Sequence, residues 1–198
     1  MRKLLQAMIL GHFLIVPAIF AADSDFVTVS DTKFATSTKV NGTDLVLNGA
    51  GLRTKFLVKV YTLGLYVPQK SNSAKSLLQV STPEMIEIHM LRTISADTFA
   101  DALNEGLAAN NSKDVLAKLK PQIDQLEATM KGAGKTKEND VIRLSYIPGT
   151  GTQVFLNGAK LGDSIGGGAD FYSALLKIWL GDNPIDKSLK DSIVGSSK

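Results

Sequence analysis

The residues Leu52–Val67, LRTKFLVKVYTLGLYV, restrict the fold more than any other part of the chain. The run is dense in β-branched, aromatic and aliphatic side chains and reads as strand. Its sixteen residues exceed an ordinary strand, so it forms two strands or one long bent strand, with Gly64 the candidate bulge or bend. One parity carries Phe56, Val58, Val60 and Thr62; the other carries Arg53, Lys55, Leu57, Lys59, Tyr61 and Leu63. Arg53 therefore leads the strand on the same parity as Tyr61 and Leu63. A buried arginine keeps its charge and needs an anionic partner or ligand. With Tyr61 and Thr62 near it in sequence, Arg53 could clamp a carboxylate or a phenolate in an apolar pocket. The bland alternatives are a solvated strand end and an internal ion pair.

The rest of the chain supplies partners for that strand. Phe26–Ser30 and Asp44–Leu47 are short β-prone pieces separated by polar, turn-rich sequence that includes Asn41-Gly42, and Asn48-Gly49-Ala50-Gly51 reads as another turn. Leu77–Val80 reads as a brief strand or extended segment, and Met85–Leu91 as a strand. Ser95 is an N-cap with Asp97 in the first turn. The helix it opens places Phe99, Ala102, Leu103, Gly106 and Leu107 on one face and ends at Asn110-Asn111-Ser112. A second helical pattern uses Val115, Leu116, Leu119, Ile123, Leu126 and Met130, with Pro121 expected to kink or divide it. Val141–Ile147 and Thr152–Leu156 form a hairpin around Pro148-Gly149-Thr150-Gly151, followed by an Asn157-Gly158 turn. Gly162 to Gly168 reads as a loose turn, Phe171–Leu180 as an apolar helix, and Asp182–Pro184 as the restart of a last helix with Ile185, Leu189 and Ile193. The order of strands, helices, hairpin and helices contains no regular βαβ repeat. It predicts an α+β fold, a mostly antiparallel sheet with helices on one side.

The first 22 residues are a separate object. Arg2 and Lys3 precede Leu4–Ala22, nineteen residues without a charged side chain, and small residues stand at Ala21-Ala22. This is the outline of a secretory signal peptide cut after Ala21 or Ala22. An uncleaved anchor is the rival, weakened by Gln6, His12 and Pro17. The expected organisation is a leader over 1–22 and one domain over 23–198, periplasmic or secreted, with no stable membrane span after processing. Without Arg2 and Lys3 the 22 basic residues become 20 against 19 acidic, so the net charge falls from +3 to +1. A nearly neutral chain is a poor nucleic-acid ligand.

The chemistry available is narrow. There is no cysteine, which excludes disulfides, thiolate metal sites and a cysteine nucleophile. Loss of the leader removes His12 and leaves His89 as the only histidine. Haem ligation would have to use His89, Met85 or Met90, and nothing in the sequence implies a metal or a cofactor. No zinc-protease, nucleophile-elbow or Walker pattern appears, and the glycines of 162–168 follow no phosphate-binding context. Any activity rests on arginine, tyrosine, threonine and carboxylates.

Asn48-Gly49-Ala50-Gly51-Leu52-Arg53 and Val58–Val67 resemble the opening of the chalcone isomerase fold. Arg92–Leu107, Phe155–Gly166 and Phe171–Lys190, with its Ile178-Trp179-Leu180-Gly181-Asp182-Asn183-Pro184 segment, are similar to the bacterial, exported branch of that family. The resemblance covers most of the chain after the leader. It implies an open-faced β-sandwich, a large antiparallel sheet layered on helices with a ligand cleft between. Members of plant type close a chalcone to a flavanone, using an arginine, a threonine and a tyrosine. Others bind fatty acids, with the equivalent arginine on the carboxylate. The resemblance puts the arginine at Arg53, the strand threonine at Tyr61 with Thr62 next to it, the catalytic tyrosine at Thr98, and the helix asparagine near Asn104 or Glu105. The arginine is kept and the threonine and tyrosine positions are not, which puts the isomerase reaction in question. The expectation is an exported protein that holds an amphipathic anion, a fatty or aromatic acid, through Arg53, Tyr61, Thr62, Thr98 and Asn104. An isomerase or intramolecular lyase on another substrate, and an envelope interaction module, are the alternatives.

Overall fold

In the computed structural model, residues 25–195 are described; the expected leader lies outside them. The elements run β1 (Phe26–Val29), β2 (Thr32–Ala35), β3 (Ser37–Val40), β4 (Thr43–Lys55), β5 (Val58–Val67), α1 (Ala74–Leu77), β6 (Glu84–Met90), α2 (Ala96–Asn110), α3 (Lys113–Ala133), β7 (Val141–Ile147), β8 (Gly151–Leu156), β9 (Ala159–Ile165), α4 (Gly168–Leu180) and α5 (Lys187–Val194). Strands β3 to β9 form a seven-stranded antiparallel sheet in chain order, and β1 and β2 pair as a separate hairpin. The expected α+β architecture is present, with the helices packed on one face of the sheet.

Alternation along the strands decides which residues meet the helices. Leu63 and Leu65 of β5, Ile86 and Ile88 of β6, and Ile142 and Leu144 of β7 share one core with α2 to α5. Helix α4 is apolar on most of its circumference because it is buried on most of it, lying against α2 on one side and reaching β7 and β8 on the other. The opposite face of the sheet forms a smaller core from Leu45, Leu47, Tyr66, Met85 and Ile147, closed by Phe34 of the β1–β2 hairpin. Ser95 and Ser112 accept hydrogen bonds from the backbone N–H groups of Thr98 and Val115, which fixes the starts of α2 and α3.

The segment 52–67 is two strands, and the break falls at Phe56-Leu57, both with positive φ. Gly64 is not a bulge; the register shifts lie at Leu47/Gly49 and Arg53/Thr54. Gly64 is small for another reason: a Cβ there would stand 2.7 Å from Cδ1 of Phe34. Residues 48–51, expected to turn, lie inside β4, and Gly49 leaves room for the carbonyl groups of Ser192 and Ile193 at the end of α5. The loose stretch expected from Gly162 is strand β9 as far as Ile165, paired to β8. Leu77 ends the short helix α1, which Ser73 caps, and 78–83 lie in no strand, so the brief strand expected as one reading of Leu77–Val80 does not form. Pro121 does not divide α3; it and Ala117, whose carbonyl loses its partner, are both exposed, so water can replace the missing bond. The last helix starts at Lys187 behind the Asp186 cap rather than at 182–184.

Gly64→Ala will push Phe34 off the sheet. Equilibrium denaturation should show a loss of about 1–3 kcal/mol, with hydrogen exchange accelerated first in β1 and β2.

Candidate functional site

The two-residue turn at Phe56-Leu57 alone would set Arg53 opposite Val60; the register shift between Arg53 and Thr54 leaves Val60 as an extra residue and makes Tyr61 the cross-strand partner of Arg53. Both side chains sit on the helix-facing side. They lie at a cavity of about 560 Å³ between the sheet and helices α2 and α4, in the size range of small-molecule sites. Its walls include Val60, Ile88, Met90, Leu103, Ile178 and Trp179. Polar side chains gather toward the mouth: Lys55, Arg92, Ser95 and Thr98, with Asp101 and Glu105 of α2.

Arg53 is only 8% exposed. Its guanidinium carbon lies 5.5 Å from the centroid of the Tyr61 ring, a cation–π distance. Its Nε is buried without a hydrogen-bond partner, and no carboxylate forms an ion pair with it among the described residues. Asp186 is the carboxylate whose field reaches Tyr61, yet its oxygens accept from the backbone N–H groups of Thr54 and Leu189, each at 3.1 Å. Trp179 Nε1 donates to the Tyr61 hydroxyl at 2.8 Å. Burial pushes the Tyr61 phenol up to about 12, against the opposing pull of Arg53 and the Trp179 bond. Tyr61 therefore keeps its proton at neutral pH and has it to donate. The site is a fixed positive charge beside a neutral hydroxyl, at the edge of an apolar chamber.

Residues 26–195 match the family model described as chalcone isomerase-like. The chain belongs to the chalcone isomerase-like family. Among solved structures it is similar to a fatty-acid binding protein of Arabidopsis thaliana, with a TM-score of 0.64 and 17% identity over 84% of this chain and 93% of that one. At that identity the likeness is one of fold. No curated protein matches the chain in sequence.

Within this chalcone isomerase-like fold, Arg53, Tyr61 and Thr98 come together around the cavity; Thr62 and Asn104 are not among its lining residues. Thr62 follows Tyr61 on the strand and so points to the other face, fully buried opposite His89, its Oγ1 without a partner. Asn104 is exposed on α2 and donates to Glu127 Oε1 of α3 at 2.7 Å; its neighbour Glu105 is the one at the rim. Thr98 is held at the start of α2, its Oγ1 2.8 Å from Ser95 Oγ. Trp179 was not picked out as a site residue. Its signal was chemical: a tryptophan in an apolar helix needs an acceptor for its indole N–H.

The other buried ionisable groups lie away from the cavity. Glu87 lies on the far face, with His89 Nε2 at 2.7 Å and Arg143 Nε also at 2.7 Å. Burial would raise its carboxyl, but those two hydrogen bonds and the two charges prevail and hold it below its usual range. His89 also meets the Phe34 ring edge-on at 5.0 Å, on the face of the sheet away from the cavity. Glu84 has an unpartnered buried Oε2, and burial raises its carboxyl from 4.5 to about 8.

Two substitutions test this description. Tyr61→Phe removes the acceptor of a buried indole N–H and should lower stability by about 1–3 kcal/mol, with a changed emission spectrum from Trp179, the only tryptophan in the chain. Glu84 is protonated in the folded state over a range where it is ionised in the unfolded one, so its contribution is present below pH 4.5 and is lost toward pH 8. Glu84→Gln should therefore match the parent near pH 4 and gain on it by roughly 1.4 kcal/mol per pH unit above the unfolded value, as read by urea denaturation across the pH range.

Proposed function

We propose that the cavity binds an amphipathic carboxylic acid, fatty or aromatic, with the carboxylate on Arg53 and the apolar part between sheet and helices. The observation that carries this reading is the buried guanidinium: 8% exposed, stacked on Tyr61 and without an anionic partner among the described residues, at the edge of a 560 Å³ chamber. A buried charge of that kind is destabilising until an anion meets it. Tyr61 adds a neutral donor beside the charge. The family and the fold shared with a fatty-acid binding protein support the same reading.

Binding rather than turnover is what the side chains favour. At the position that the resemblance assigns to a catalytic tyrosine stands Thr98, whose Oγ1 is already engaged with Ser95. A transition state needs donors placed where its charge develops, and one cation with one phenol already tied to Trp179 is better suited to a stable carboxylate. The proposal includes export: the basic start and uncharged run of residues 1–22 support a cleaved leader and a carrier that works in the periplasm or outside the cell.

The test is a titration of delipidated protein with saturated fatty acids of increasing length and with their methyl esters, read by Trp179 emission. Affinity should rise about tenfold for every two methylenes until the chamber is full. The esters should bind roughly thirtyfold more weakly, because they bring no charge to Arg53. Equal affinity for acid and ester, or no binding of any acid, would overturn the reading.

A further inference from the structure

Four two-residue hairpin turns in this fold place both central residues at positive φ, a conformation that favours asparagine, aspartate and glycine. Among the described residues, Asn41-Gly42 and Asn157-Gly158 comply at both positions and Ser30-Asp31 at its second. The fourth, between β4 and β5, uses Phe56 at φ 49° and Leu57 at φ 66°. Bulky side chains are strained there, and these two bury almost nothing in return: Phe56 is 89% exposed, Leu57 100%, and the adjoining Val58 43%. Nothing in the folding of the chain accounts for apolar side chains at this tip.

A basic collar surrounds it. Lys55 and Lys59 flank the turn and Arg92 stands at the same mouth; all three are exposed and none has a carboxylate partner among the described residues. The Lys59 ammonium donates only to Ser30 Oγ, at 2.8 Å. The acidic side chains at the cavity, Asp101 and Glu105, belong to α2 and not to the hairpin.

We propose that the β4–β5 tip is a membrane-docking element. Phe56 and Leu57 enter the interfacial layer of a bilayer rich in anionic lipid, while Lys55, Lys59 and Arg92 meet its phosphates. A narrow convex tip with a cationic collar fits a lipid surface; a protein partner would require a broader patch. The molecule docks on its hairpin edge, where Phe56, Leu57, Lys55 and Lys59 stand together. Because Lys55, Phe56 and Val58 also line the cavity, docking sets the cavity mouth against the lipid. The proposal does not depend on which molecule fills the cavity.

Co-sedimentation of the leader-free protein with vesicles tests it, using phosphatidylcholine alone and phosphatidylcholine with about one-third phosphatidylglycerol. The parent protein should bind the anionic vesicles and lose binding as salt rises. A Phe56→Asn/Leu57→Gly variant, which installs the Asn-Gly chemistry of the 41–42 and 157–158 turns, should melt at a higher temperature and bind the vesicles at least about tenfold more weakly. Leu57→Ser, at a fully exposed position, should weaken binding without lowering the melting temperature. Unchanged binding by both variants would overturn the proposal, as would a parent protein that binds neither vesicle. So would self-association in sedimentation velocity, lost in the variants, from a protein that ignores vesicles.

Discussion

The contact between the Arg53 guanidinium and the Tyr61 ring organises the site. It exists because β4 and β5 turn back at Phe56-Leu57, because the register shift at Val60 then pairs residues 53 and 61, and because Trp179 of α4 pins the Tyr61 hydroxyl. The cation–π contact is worth about 0.5–2 kcal/mol, whereas removing an ion from water costs several. The balance leaves a cation that the fold tolerates rather than satisfies. The apolar chamber remains open beside it.

The far face of the same sheet shows that this chain can neutralise a buried charge. There Glu87 receives both His89 and Arg143, and Phe34 closes the cluster from outside. Asp186, close enough to influence Tyr61, is occupied with the start of α5 and the backbone of Thr54. The absence of an ion pair at Arg53 among the described residues is thus a local property of the cavity. The Phe56-Leu57 tip is a second departure from what stability alone would select, and it stands at the mouth of the same cavity.

Much of this was legible in the sequence where one residue's periodicity reports one burial pattern. Strands β5 to β8 and helices α2 to α4 follow from alternation and helical spacing, with the Ser95 cap marking the start of α2. Strands β2 and β3 were not legible, because among their short polar residues only Phe34 and Val40 are buried. The glycines at 48–51 suggested a turn, but at Gly49 and Gly51 the close approach of α5 demands the missing Cβ, which no local signal reveals. Arg53 and Tyr61 meet on one face because of the register shift beside them: a two-residue turn alone sets Arg53 against Val60, and no local signal in the sequence marks the extra residue. Thr62, one residue on, was carried to the other by the same alternation. Trp179 joins the site only through tertiary packing, 118 residues from Tyr61 in sequence.

The central claim is that Arg53 is kept for a ligand at the expense of the ligand-free fold. The most direct measurement is the unfolding free energy of ligand-free Arg53→Met beside its affinity for a long-chain fatty acid. The account predicts opposite signs: stability higher by about 1–3 kcal/mol and affinity roughly thirtyfold lower or worse. A variant that is less stable and binds the acid as tightly as the parent would make Arg53 a structural residue and contradict it.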